Sequence, residues 1–221
     1  MTNNQNNITI NCIKTQRGDN MNNNLKYVAT NMTMLFWVNE MITGAKLKKQ
    51  GKTEKEIRAL AQDEDIFQAG SENFRKKAAS GVISRLRTLD EFTTDLLCNC
   101  NIETAKQITI YSILKSDLLF FDFVNELYKE KIILKDYKIT DADIAIFINR
   151  KQEQIEKIAS WKESTIRRLK NNYISYLCEA GFIKKQKNYL EIIKPVIDKT
   201  FAEHLKKIGE EIYLEIMTVY I

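Results

Sequence analysis

The chain of 221 residues has little of what punctuates a fold: seven glycines and a single proline, Pro195. That scarcity excludes a β-sandwich or barrel, whose frequent turns call on both residue types. Histidine is almost missing, with His204 alone. It lies in a Lys- and Glu-rich stretch, where an exposed surface position is expected, and it leaves imidazole-based metal or triad chemistry without partners. Four cysteines, Cys12, Cys98, Cys100 and Cys178, are too scattered for a disulfide framework. The C-x-C at 98–100 lacks the second pair that a zinc site needs. The longest apolar run, Leu118 to Val124, is interrupted by Asp122 and is far shorter than the roughly 20 residues of a membrane helix. With no secretory pattern to read, the expectation is a reduced, cytoplasmic protein that makes no use of a membrane.

What is abundant is Lys, Glu, Leu, Ile and Ala, a composition that favours helix almost throughout. The predicted fold is all-α. Residues 1–24 are Asn-rich without apolar periodicity and read as a flexible tail. Residues 25–135 read as an N-terminal helical domain and 136–221 as a C-terminal winged-helix-like region. A first helix is expected to start near Asn31 or Thr33, with Leu35, Val38, Met41, Ile42 and Ala45 on one face, and to end at Gly51. The Gly51-Lys52-Thr53 that follows is not a phosphate loop, because position 46, where that motif requires glycine, is Lys46.

Two helix pairs carry the functional argument. Thr53 to Gln62 reads as a short helix opened by a capping box, Thr53 with Glu56. After the turn DEDIFQAG, Ser71 to Leu89 reads as a longer helix with Phe74, Ala78, Val82, Leu86 and Leu89 in one stripe. Its other face gathers Asn73, Lys76, Lys77, Ser80, Ser84 and Arg87. The second pair begins with the helical stretch Thr140–Gln154, read as running on to Ile158: Thr140 caps DADIAIFINRKQEQIEKI, with Asp141 and Asp143 in its first turn and Ile144, Phe147, Ile148 and Ile155 facing inward. Ser164 is expected to cap the next helix, whose inward stripe is Ile166, Leu169, Tyr173, Tyr176, Leu177 and Ala180. Arg167, Arg168, Asn171, Asn172 and Ser175, with Ser164 and Thr165, lie on its opposite side. Gly181 stops it, and residues 182–194 alternate as a small β-hairpin around a lysine tip, or form an irregular loop there. Pro195 closes the segment, and one or two amphipathic helices follow over 196–221.

The formal charge of +5 is unevenly placed. Residues 71–89 carry +4 and residues 161–187 carry +5, whereas residues 90–140 carry −3. Those acidic residues span three predicted helices, Asp90–Cys98, Ile102–Lys115 and Asp117–Lys131, the last dense in aromatics (Phe120, Phe121, Phe123, Tyr128) and read as core scaffold. Clustered cations on helix faces are the footprint of a polyanion binder. Arg and Asn match guanine and adenine edges in the major groove, while Ser, Thr and Lys suit phosphates. The candidate DNA-binding residues are therefore Ser71, Asn73, Lys76, Lys77, Ser80 and Arg87 on the first pair, and Lys162, Ser164, Thr165, Arg167, Arg168, Asn171, Lys184, Lys185 and Lys187 on the second. Two alternatives stay open, an RNA-binding helical bundle and an assembly scaffold whose basic faces dock acidic partner proteins, because basic helices serve all three. No nucleophile elbow, catalytic triad order or paired-acid loop is present, so a non-enzyme without cofactor or metal is expected. Asp141 and Asp143 are assigned to capping rather than to magnesium.

With these elements laid out, residues 25–217 resemble the BrxA family of BREX (bacteriophage exclusion) defence systems. The resemblance rests on the order of several phrases: YVATNMTMLFWVNEMITGAKLKKQGKTEKEIRAL, SENFRKKAASGVISRLRTL, ETAKQITIYSILKSDLLFFDFVNELYKEKIIL, ITDADIAIFINRKQEQIEKIASWKESTIRRLKNNYISYLCEAGFI and EEIYLEIM. It implies a monomeric, all-helical protein with two helix-turn-helix motifs, binding double-stranded DNA as an accessory factor in phage defence. It also implies BREX partners, which include an adenine methyltransferase, an ATPase and a phosphatase-like component, and no catalytic activity of its own. The first 20 residues depart from the family pattern.

Overall fold

The computed structural model describes residues 27–29 and 34–218. The tail expected over residues 1–24 lies outside them. The described chain is mainly helical, with one small antiparallel sheet, and none of its helices is long and apolar enough to cross a membrane.

Helix starts follow the local chemistry. Helix α1 spans Val38–Lys49. It begins later than the sequence suggests because Trp37 sits in the left-handed region, φ 58°, a conformation an L-residue cannot extend into a helix. Leu35, expected on its buried face, precedes the helix and is exposed. Helix α2, Glu54–Asp63, has the expected capping box: Glu56 N–H donates to Thr53 Oγ1 and Thr53 N–H to Glu56 Oε2. Ser71 accepts from Phe74 N–H to open α3, Glu72–Leu86. That helix stops short of Leu89, and Phe74, in its first turn, is 38% exposed rather than core. Helices α4, Glu91–Asn99, and α5, Ile102–Ser116, are capped by Asp90 and Asn101.

Helix α5 runs through the core. From Thr104 to Leu114 only Lys106 is not buried, the pattern of a helix packed on all sides. Its buried hydroxyls return to its own backbone, Thr109 to Ala105 O and Ser112 to Thr109 O, so they cost little to bury. Asp117 then caps α6, Leu118–Phe123, which continues through a wider π-turn, Val124–Tyr128, into α7, Lys129–Ile133. As the sequence suggests, the aromatics here are core. Phe120, Phe121 and Phe123 are each at most 2% exposed, which stabilises the fold by about 1.5–3 kcal/mol apiece.

Strand β1, Lys138–Ile139, was not legible in the sequence. It leads to α8, Asp141–Gln154, where Thr140 and Asp143 form a reciprocal capping box. Ile155 adopts an extended conformation and separates α8 from a one-turn α9, Glu156–Ala159, so the helix does not run on to Ile158. Helix α10, Glu163–Glu179, is capped two residues earlier than expected: Lys162 holds the cap position and Ser164 is already helical. The hairpin forms as strands β2, Ile183–Lys185, and β3, Leu190–Ile192. β3 pairs with β1 on its other edge, giving the order β1-β3-β2 with Lys138 opposite Glu191 and Lys184 opposite Glu191. The chain ends in α11, Lys199–Lys207, and α12, Glu211–Thr218. Ile208, at the C-cap of α11, is exposed.

His204 is not a surface residue. Its Nε2 lies 2.6 Å from Asp90 Oδ2 and its ring stacks on Phe92 at 4.1 Å, which fastens α11 onto the start of α4.

Candidate nucleic-acid interface

The aromatic and acidic segment acts as a seat for both members of the second helix pair. Phe120 packs against Tyr173 and Tyr176 of α10, with centroids at 5.1 and 5.6 Å, and Phe123 against Phe147 of α8 at 5.4 Å. Asp117, buried at the cap of α6, accepts the Tyr173 hydroxyl at 3.0 Å. Lys151 of α8 is buried between Asp122 at 2.8 Å and Glu126 at 2.5 Å, and Tyr27 also donates to Asp122. Burial pushes the Glu126 carboxyl above its usual range, and the Lys151 charge opposes that rise. Both helices are thus fixed by their inner faces, leaving their outer faces to solvent.

On the outer side of α10, Ser164, Arg167, Arg168 and Asn171 are exposed, and Thr165 is half-buried in the first turn. Lys162 is exposed just ahead of them, and no side chain caps the helix start. The positive end of the helix dipole lies at this start, where Thr165 N–H is bonded to Lys162 O. Lys184 and Lys185 project from β2 and Lys187 from the turn, all exposed. Among the described residues, none of Lys162, Arg167, Arg168, Lys184, Lys185 and Lys187 is ion-paired with a carboxylate. Lys170, the seventh cation between 161 and 187, pairs with Asp141 at 2.7 Å.

The first pair is arranged otherwise. Lys76 pairs with Glu72 one turn back at 2.5 Å. Arg87, just past the end of α3, holds Glu54 of α2 with two hydrogen bonds, Nε to Oε1 at 2.7 Å and Nη2 to Oε2 at 2.5 Å. The Arg87 guanidinium keeps the Glu54 carboxyl below the usual carboxylate range. Arg75 donates to Gln62 O and Gly70 O and so closes the turn between α2 and α3. Arg85 is buried in the core. Ser71 is used as a cap, Asn73 is exposed, and Ser80 accepts from Arg58 at 2.9 Å. Lys77 is the one cation of this segment that is exposed and unpaired among the described residues. Sequence reasoning missed Arg58, an exposed cation that α2 presents beside Ser80; its i, i+22 relation to Ser80 leaves no periodic trace.

Asn172 points back toward the protein, whereas Ser175 stays on the helix surface. Asn172 donates to Met34 O at 3.2 Å and Ser175 to Glu179 at 2.9 Å. Asp143 serves the capping box and Lys131, and Asp141 binds Lys170, so both carboxylates are occupied by protein partners. Among the described residues no group of three or more His, Cys, Asp or Glu side chains is placed to hold a metal ion.

Comparison with known proteins follows the same outline. The family model described as BrxA matches residues 25–209. A protein of Bacillus cereus (strain H3081.97) named "BREX protein BrxA" is 42% identical over 171 residues, covering 77% of this chain and 86% of that one. A protein of the same name from Escherichia coli O9:H4 (strain HS) is 22% identical over 157 residues, covering 66% of this chain and 74% of its own length. A crystal structure of an uncharacterized protein from Magnetospirillum magneticum superposes with a TM-score of 0.76 at 18% identity, over 88% of this chain and 99% of that one, and shows the same fold. With the family model spanning most of its length, this chain belongs to the BrxA family of BREX proteins.

Proposed function

We propose that this protein is a non-enzymatic, monomeric, cytoplasmic factor of a BREX phage-defence system that binds double-stranded DNA, chiefly through α10 and the β2–β3 hairpin. The observation that carries this reading is the set of six exposed basic side chains, Lys162, Arg167, Arg168, Lys184, Lys185 and Lys187, that no described carboxylate neutralises. Surface cations normally find acidic neighbours in a chain with 29 carboxylates, and a run of free ones leaves a field that attracts a polyanion. The order β1, α8, α10, β2, β3, with only the one-turn α9 between the helices, matches a winged helix-turn-helix. In such a module α10 enters the major groove, where Arg167, Arg168 and Asn171 meet base edges, and the hairpin lysines rest on the phosphate backbone.

The first pair, α2 and α3, serves as the auxiliary contact, with Lys77 and Asn73 outward and Lys76 and Arg87 available on exchange of their carboxylates. Its eight-residue turn, from Glu64 to Ser71, is long for a helix-turn-helix. Titration of a labelled duplex over a salt series tests the reading, with structured RNA as competitor. Binding that weakens steeply with salt and resists RNA is the expected result; absence of binding at low salt, or a strong RNA preference, overturns it.

A further inference from the structure

The segment just ahead of α1 lies between the two basic helices, and its three successive carbonyls are divided between them. Met34 O accepts from Tyr176 Oη at 2.9 Å and from Asn172 Nδ2 at 3.2 Å, both on α10. Leu35 O and Phe36 O accept from the Arg85 guanidinium of α3, at 2.7 and 2.5 Å. Arg85 is only 5% exposed, and its guanidinium lies over the rings of Trp37 (5.4 Å) and Tyr176 (5.7 Å). No described carboxylate forms an ion pair with it. A buried cation held by carbonyls and ring faces is a poor device for stability alone, since an apolar side chain of similar volume avoids its desolvation. What the fork supplies is geometry, because both of its hydrogen bonds are directional. Gly81, one turn before Arg85, admits the Trp37 ring: a Cβ there would overlap Cζ3 of Trp37.

The two helices present matching ridges to this strap. On α3 the ridge is Lys77, Gly81, Arg85, and on α10 it is Arg168, Asn172, Tyr176, each at i, i+4, i+8. Each ridge thus carries an exposed cation, without an ion pair among the described residues, two turns or about 12 Å ahead of Arg85 or Tyr176.

We propose that the Met34–Trp37 strap locks α3 and α10 at one separation so that a single duplex is gripped by both basic faces together, with Arg85 and Tyr176 as the positioning residues. This rests on the DNA-binding reading above. Neither side chain touches the nucleic acid; each acts by fixing where Lys77 and Arg168 stand relative to one another.

The test is duplex binding by the full chain across a salt series, comparing wild type, Arg85→Met, Tyr176→Phe and the double variant Arg167→Glu/Arg168→Glu. The slope of log affinity against log salt counts phosphates neutralised at once, at about 0.9 per contact. Arg85→Met leaves every exposed charge in place, so it is expected to bind about tenfold more weakly with a slope flatter by about one unit. Tyr176→Phe, which removes one hydroxyl, is expected to move the same way by about two- to threefold. A variant that is merely less folded binds with a reduced active fraction but an unchanged slope. Wild-type slopes in both strap variants, with the charge reversal still weakening binding, overturn the coupling and leave DNA binding standing. If the charge reversal itself has no effect, the DNA-binding reading falls and the coupling with it. Should Arg85→Met fail to fold, Tyr176→Phe decides by the same slope.

Discussion

Between Ser71 and Leu89 the chain has five basic side chains, and between Trp161 and Lys187 it has seven. On paper the two segments look like equivalent reading heads. In the folded protein the first engages its cations internally: Arg75 closes a turn, Arg85 is buried against backbone carbonyls, Arg87 and Lys76 pair with Glu54 and Glu72. Among the described residues the second leaves six of its seven without an ion pair, and its inner face is anchored by aromatics. The difference teaches that linear charge density overstates a binding surface wherever the cations have structural partners. An exposed pair contributes little to stability, yet it still removes a charge from the field a ligand meets.

Reversing charge on each helix in turn is the strongest way to break this comparison. Arg167→Glu with Arg168→Glu is expected to lower duplex affinity by about 100-fold or more at low salt and to flatten the salt slope by about two units. Lys76→Glu with Lys77→Glu is expected to cost less than about tenfold, since only Lys77 is free. Equal losses, measured by fluorescence anisotropy, would restore the two segments to equal rank.

Next in size is a test of the first pair as architecture. Gly81→Ala forces a methyl into the Trp37 ring and is expected to destabilise the fold by about 1–3 kcal/mol, read from urea unfolding. A neutral result would mean that the ring moves aside freely and that α3 is not held through this contact.

Freeing the first pair's cations sharpens the contrast in the opposite direction. Glu54→Gln with Glu72→Gln leaves Arg87 and Lys76 without carboxylate partners and is expected to raise duplex affinity by about three- to tenfold, with a slope steeper by one to two units or about 0.9 per cation recruited. No gain would place α3 outside the bound surface.

The smallest effect concerns pH. Hydrogen bonds from Arg87 hold the Glu54 carboxyl below its ordinary value of 4.5, so the pair's contribution is present above that value and is lost as pH falls through the lowered one. Glu126 has the opposite sign. Burial raises its carboxyl above 4.5, so the folded state holds a proton that the unfolded state releases, and stability gains as pH falls toward 4.5. Unfolding midpoints of Glu54→Gln and Glu126→Gln followed from pH 7 to 4 are expected to diverge from wild type in opposite directions; parallel curves would show that neither group titrates as its surroundings dictate.

Much of the secondary structure was readable because it is written in adjacent residues. The Thr53–Glu56 box, the cap at Thr140 and the stop at Gly181 are each set within four positions, while the alternation over 182–194 left a hairpin and a loop both open. The elements that escaped depend on distant partners. Strand β1 is two residues long and is a strand only because Ile192 N–H bonds to Tyr137 O and β3 offers it a free edge. The break at Ile155 and the late start at Val38 have no proline or glycine to announce them. His204, read as a surface residue, is drawn in by Asp90 and Phe92, more than 100 positions away. The candidate site shows the same limit: the basic residues of both segments were visible, but not which of them acid neighbours would occupy.

The sequence by itself determined that this protein is helical, where several of its helices begin, that its aromatic segment is core, and, through the order of its phrases, that it resembles the BrxA family. These properties follow from short-range capping and periodicity, or from the string of residues as such. Only the tertiary structure decided which cations stand free, that Arg85 is buried rather than displayed, and that α3 and α10 share the strap at Met34–Trp37. Ion pairing and burial depend on what lies within a few ångströms in space. For Arg87 and Glu54 that neighbour is 33 residues away, and for Tyr176 and Met34 it is 142.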